Sequence, residues 1–347
     1  MRTRIRIRTL LVCSLLAGGV AAGPAAAGKL GTLALEEKPT ALLGGRIEAR
    51  LPAGARIEAR QANVASANPL TEEETRVVVD AGGERMMILA YELFARSTAD
   101  ALEPAVKARW ADPGAGRADR YAIEPRTLPS GQRAVLISPK APPDPKREAW
   151  LALGEYVLHT DGTVQMVSYF LDPDAAKDVA GATALARKVA DTVAPGPKRL
   201  ATSAGERSFR GVQDTDKVVL VVPEGTVDTH QQAPDFAMHY FRILPKLGDG
   251  VPVLGIYVGK QPPDLHVQEE AAAKGGAKAT VTKKKADLLA TAGAEWHLWA
   301  SGGVEHAEAI VPYPGRKEWA MHVFCAGATA AEIDRLVKIA ATLRVAS

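Results

Sequence analysis

One order of strands, turns and helices is written twice along this chain, and that repetition restricts the fold more than any other feature. Arg46–Leu51 is β-rich and ends at Pro52-Ala-Gly54; Lys217–Val222 is β-rich and ends at Pro223-Glu-Gly225. A second short alternating stretch follows each. Thr75–Asp80 and Arg85–Phe94 then flank Ala81-Gly82-Gly83, as Phe236–Leu244 and Val251–Val258 flank Gly248-Asp249-Gly250. Both read as hairpins. A helix is predicted next, over about Thr98–Trp110 in one half and Asp264–Lys274 in the other. The halves also close alike. Ala149–Thr160 and Thr163–Leu171 turn about Asp161-Gly162 and lead into a helix of about Pro173–Val193; Glu305–Val311 and Lys317–Cys325 turn about Pro314-Gly315 and lead into Ala330–Leu343.

The closing helices carry start signals. Asp172 precedes Pro173, a cap with proline in the first turn. Thr329 and Glu332 have the capping-box spacing, in which each side chain satisfies a backbone donor of the first turn. Val179, Leu185, Val189 and Val193, and likewise Ile333, Leu336, Val337, Ala340 and Leu343, recur every three or four residues, so each helix has one apolar face to bury. Consecutive hairpins imply antiparallel pairing, and amphipathic helices imply a sheet beneath them. The sequence therefore predicts an α+β fold of two similar domains, each a mostly antiparallel sheet covered by helices. The stretch 196–205, rich in Gly and Pro, reads as a linker between a first domain of 29–195 and a second of 206–347.

Residues 1–27 read as a cleavable signal peptide. Arg2, Arg4, Arg6 and Arg8 precede an apolar stretch from Leu10 to about Ala22, and Ala25-Ala26-Ala27 supplies the small-residue cleavage site. The expectation is a periplasmic or secreted protein with no transmembrane segment in the mature chain, since no later apolar run reaches 18 residues. The signal's four arginines reduce 43 basic residues to 39, against 40 acidic ones. A near-neutral mature chain lacks the electrostatic footprint of a nucleic-acid binder. Cys13 leaves with the signal, so Cys325 stands alone and no intramolecular disulfide forms. Its apolar surroundings read as those of a buried structural thiol.

The strand ending in Leu51-Pro52-Ala-Gly54 and Val222-Pro223-Glu-Gly225, the hairpin after it, and a final helix with Lys188-Val-Ala-Asp-Thr-Val193 and Lys338-Ile-Ala-Ala-Thr-Leu343 resemble the PsbP-like (DcrB-like) domain. That resemblance covers most of both halves. It implies an exported or lumenal α/β/α sandwich acting as a non-catalytic binding or assembly subunit and does not name the ligand; the expected partner of an exported chain is a protein or small ligand of the cell envelope. The family has no shared active-site set to carry over.

Sequence motifs for chemistry are sparse. There is no G-x-S-x-G elbow, no H-E-x-x-H and no phosphate-cradling G-x-x-x-x-G-K-[ST], so no catalytic or cofactor-binding residue is assigned. Six of seven histidines lie in the second half: His230, His239, His266, His297, His306 and His322. Two readings are open. They are partly exposed strand residues of a non-catalytic binding protein, or His239, His297, His306 and His322 hold a transition-metal ion, as imidazoles of an extracytoplasmic protein can. Met238 cannot share an ion with His239, because neighbours on a strand point to opposite faces. The run Thr71-Glu72-Glu73-Glu74-Thr75 reads as a solvated edge, Lys283-Lys284-Lys285 as a solvated loop, and Trp296, Trp299 and Trp319 as either core residues or an aromatic platform.

Overall fold

Alternating apolar segments joined by tight turns pair with their sequence neighbours, and both halves of the chain follow this rule. The computed structural model describes residues 29–58, 74–110, 120–140, 150–172, 178–211, 217–233, 236–272, 280–289 and 291–346. These divide into two compact units, one running to Leu200 and taking in Lys246–Gly248, the other holding Ala201–Pro245 and the chain from Asp249 onward. The predicted signal peptide and Glu72-Glu73 lie outside the described residues. Among the described residues no helix is long and apolar enough to cross a membrane.

The first unit contains β1 (Thr40–Leu42), β2 (Ile47–Ala49), β3 (Arg56–Glu58), β4 (Glu74–Ala81), β5 (Glu84–Arg96), α1 (Ala99–Trp110), β6 (Tyr121–Thr127), β7 (Arg133–Pro139), β8 (Trp150–Leu158), β9 (Thr163–Leu171), α2 (Val179–Ala190) and β10 (Ala194–Pro195). Its main sheet is antiparallel, in the order β3-β4-β5-β9-β8-β7-β6, and β1-β2-β10 form a small second sheet. The second unit contains β11 (Gly205–Arg210), β12 (Lys217–Val222), β13 (Thr226–Ala233), β14 (Phe236–Ile243), β15 (Val253–Gly259), α3 (Leu265–Ala272), β16 (Thr282–Leu288), β17 (Thr291–Ser301), β18 (Val304–Pro312), β19 (Ala320–Gly327), α4 (Ala330–Ala340) and β20 (Arg344–Ala346). Its sheets run β13-β14-β15-β19-β18-β17-β16 and β11-β12-β20. The two large sheets thus have one strand order: a three-strand meander and a four-strand meander joined where the third strand pairs with the last. Gly82 (φ 58°) and Gly83 (φ 80°) close the β4–β5 hairpin. Both turn residues sit at positive φ, as a primed two-residue loop requires.

The helix-covered α+β sandwich expected from sequence is not what forms. The described residues make twenty strands and four α-helices, and the fold is sheet-dominated. The reason is geometric. Seven strands about 4.8 Å apart spread over roughly 30 Å, whereas a helix with its side chains is about 10 Å across. One helix cannot cover such a face. A layer of strands completes the cover: Leu42, Ile47 and Ala49 join Leu185, Ala186 and Val189 of α2 in the first core. Val218, Leu220 and Val222 join Ile333, Leu336 and Val337 of α4 in the second. The segments before Pro52 and Pro223, which open each half of the repeat, lie in these small sheets and are met there by β10 and β20, the strands that follow α2 and α4.

The helix starts divide in the same way. Thr329 and Glu332 form the capping box that their spacing predicts. Residues 173–177 lie outside the described residues; α2 is capped instead by Asp178, whose carboxylate accepts the Gly181 N–H at 2.9 Å.

Two ionic tethers, one buried and one partly exposed, brace the first unit. Arg46 donates from Nε to Glu92 (2.6 Å), from Nη1 to Asp161 (3.0 Å) and the Lys198 carbonyl (3.0 Å), and from Nη2 to the Thr163 hydroxyl (2.5 Å). Burial works to raise the Asp161 carboxyl, but bonds from His159, Thr163, Arg46 and the Leu200 N–H overcome it and hold it well below the usual carboxylate range. Arg126 of β6 reaches Glu155 (Nε to Oε1, 2.8 Å), Asp191 (2.7 Å) and the Ala190 carbonyl (2.7 Å), placing a cation at the C-terminus of α2, where the helix dipole favours one.

Candidate metal centre

The two faces of the second large sheet differ in chemistry, and the β17–β18–β19 register decides which residue goes where. Trp296, Ala307, Ala309, Val311, Met321, Val323 and Cys325 face α4 in the apolar core. Their neighbours point the other way, and pairing aligns His297 with Glu308, Trp299 with His306, and Glu308 with Phe324.

Helix α3 meets this second face at its N-terminus. The backbone N–H of Leu265 donates to Glu308 Oε2 (3.1 Å) and that of His266 to Oε1 (2.7 Å), so a carboxylate from the sheet closes the first turn. An anion there satisfies free backbone donors and complements the helix dipole. The same carboxylate takes two imidazoles: His266 Nδ1 lies 2.6 Å from Oε1 and His322 Nε2 lies 2.7 Å from Oε2. His266 Nδ1 is also 2.7 Å from Asp264 Oδ1. Burial alone would raise the Glu308 carboxyl, but the bonds from His322 and from the His266 backbone and ring outweigh it and hold it down at about 2.

His297 completes the group. Its ring centroid is 3.9 Å from that of His266, and its Nε2 is 3.0 Å from Glu295 Oε1. One donor atom from each of His266, His297 and Glu308 can be chosen so that all lie within 4.8 Å of one another. Glu308 and His322 are buried (1% and 0% side-chain exposure), while His266 and His297 keep 14% and 22% and can be reached from solvent.

Of the four histidines proposed from sequence, only His297 joins this group. His322 stands behind it, bonded to Glu308. His306 stacks on Trp299 (5.1 Å between centroids, 12° between planes), and burial lowers its pKa. His239 is on the opposite face, against Phe209 at 4.2 Å, with Nε2 buried and without a hydrogen-bond partner. Of the set His239, His297, His306 and His322, the structure therefore brings only His297 together with His266 and Glu308. A sequence signal for Glu308 existed: His306-Ala-Glu308 has the wrong spacing for a helix but puts both side chains on one face of a strand. His266 reaches the site only because α3 folds over the sheet. The tryptophans form no platform: Trp296 is buried in the core, Trp299 points to the other face, and Trp319 packs against the core edge. Cys325 is buried, and burial pushes its thiol up, away from reactivity. Lys283, Lys284 and Lys285 lie on the edge strand β16 rather than in a loop, with Lys283 on Glu295 and Lys284 on Asp334.

The first unit shows what this position looks like without donors. There α1, which follows the third strand of its sheet as α3 does, buries Leu102, Val106 and Trp110 against Val135, Ile137, Tyr156 and Val164. One topological position is filled by an apolar cluster in one unit and by imidazoles and a carboxylate in the other.

His239 gives a testable acid response. Burial, and then the nearby His230, lower its pKa to about 4 from the ordinary 6.5. Between these values the unfolded chain holds a proton that the folded chain refuses, so the stability is whole above pH 6.5 and drains as pH falls toward 4. The shift corresponds to about 3 kcal/mol. Urea titrations at pH 7 and pH 4.5 should show His239→Phe losing less stability on acidification than the parent; equal losses would show that another group sets the acid limit.

No family model, curated protein or solved structure matches this chain.

Proposed function

We propose that this is an exported, non-catalytic protein that binds a divalent transition-metal ion in its second unit, at the start of α3. The observation that carries the reading is the convergence of His266, His297 and Glu308 donor atoms within 4.8 Å, in a place where the first unit has an apolar cluster. A buried polar group is costly unless paired, so ionisable residues where a packed apolar cluster would serve suggest a use beyond folding. Imidazole donors suit Zn²⁺, Cu²⁺ or Ni²⁺ over the oxygen-seeking Mg²⁺ and Ca²⁺. The sequence argument for export supports an extracytoplasmic setting, and the shared strand order supports an origin by duplication in which one copy keeps the scaffold.

Metal-stripped mature chain, dialysed against buffered Zn²⁺ or Cu²⁺ and assayed by elemental analysis, is expected to retain one equivalent. His266→Ala and His297→Ala are each expected to weaken binding at least tenfold in calorimetry while circular dichroism stays that of the parent. Retention of less than a tenth of an equivalent by the parent would overturn the reading.

A further inference from the structure

The hydrogen bonds around Glu308 constrain how such a site works, and this inference rests on the metal-binding reading above. A carboxylate offers about four lone-pair positions. Glu308 has four N–H groups within bonding distance: the Leu265 backbone and His322 Nε2 on Oε2, and the His266 backbone and Nδ1 on Oε1. Nothing is left over for an ion without breaking one of these bonds. The bond to His266 fixes the proton on Nδ1 and leaves Nε2 as that ring's lone pair. At His297 the same relation runs the other way round: Glu295 accepts from Nε2, leaving Nδ1. Carboxylates that hold the far nitrogen of a histidine set its tautomer and raise its basicity toward a metal.

We infer that the ion is held by two imidazoles, His266 through Nε2 and His297 through Nδ1, with Glu308 and Glu295 as positioning residues behind them and the remaining coordination positions open to water or to a donor from another molecule. A structural zinc site is closed by four protein ligands, whereas an open site exchanges what it holds. Two protein donors on partly exposed rings therefore describe a site for taking up and passing on an ion rather than for cementing the fold.

The tautomers can be read without any metal. Long-range ¹H–¹⁵N correlation spectra of the metal-free mature chain, with the signals assigned through the His266→Gln and His297→Gln variants, are expected to show His266 protonated on Nδ1 and His297 on Nε2. Protonation of His266 on Nε2 would overturn the inference and leave the metal-binding reading untouched. With Zn²⁺ bound, X-ray absorption should count two imidazole nitrogens near 2.0 Å and oxygen donors otherwise, and Glu308→Gln should weaken binding about 10–100-fold without abolishing it. A third protein nitrogen, or Glu308→Gln binding as tightly as the parent, would also overturn it. Failure of the parent to bind Zn²⁺ at all would instead defeat the metal-binding reading.

Discussion

Arg46→Met is expected to destabilise the first unit by about 3–5 kcal/mol, the usual consequence of removing one partner of a buried ion pair. Arg46 is 5% exposed and Glu92 7%, so the deserted carboxylate has little water to turn to. Burial already raises the Glu92 carboxyl against the opposing charge and bond from Arg46. The loss extends past one pair, because the same guanidinium ties β2 to Asp161, Thr163 and the chain at Lys198. Hydrogen exchange of the β5 and β9 amides measures it in this unit alone. A loss below about 1 kcal/mol would mean that the exposed-pair value applies and that water reaches the site.

Arg126→Met should lose more near pH 8 than near pH 4.5, by up to about 1.4 kcal/mol. Burial pushes the Glu155 carboxyl up to about 7 even with Arg126 beside it, and Glu155 is 0% exposed. Without the guanidinium, the folded chain must carry this acid neutral. A raised folded-state pKa supplies its stability below the unfolded value of about 4.5 and forfeits it as pH rises, by up to about 1.4 kcal/mol per pH unit. Paired urea titrations of parent and variant between pH 4.5 and 8 should therefore converge at the acid end. Parallel curves would show that Glu155 finds another partner on losing Arg126.

These tethers lay outside what the sequence makes legible, and the reason is common to the His266–His297–Glu308 cluster. Local signals were readable. The Thr329–Glu332 box depends on residues three apart, and the Gly82-Gly83 turn on two neighbours. The span of α1 follows from its own apolar spacing. Arg46, Glu92 and Asp161 meet only through register, and so do His266, His297 and Glu308. His297 could be picked from its strand, but its partner on β18 is set by the pairing of β17 with β18, and His266 arrives from a helix. The fold class failed for a related reason: the segment before Pro52 shows a strand but not which sheet takes it. What the alternation did establish was the face of each residue. Met238 and His239 do point oppositely, and His306 and Glu308 do share a side.

The seam in each large sheet has a kinetic consequence. Most strand pairs are neighbours in sequence and close through short loops. The third and last strands are not: Met86 pairs with Leu171, and Val258 with Met321. Closing a loop of some 60–85 residues costs about 3 kcal/mol more than closing a two-residue turn, and no native contact across the seam repays it until the strands meet. Each unit is thus assembled from two meanders that can form early and alone, followed by one slow zippering event, during which the facing edges of β5 and β9, or of β15 and β19, stand open. These edges, covered in the finished protein, are where the folding chain is most exposed to pairing with the wrong partner.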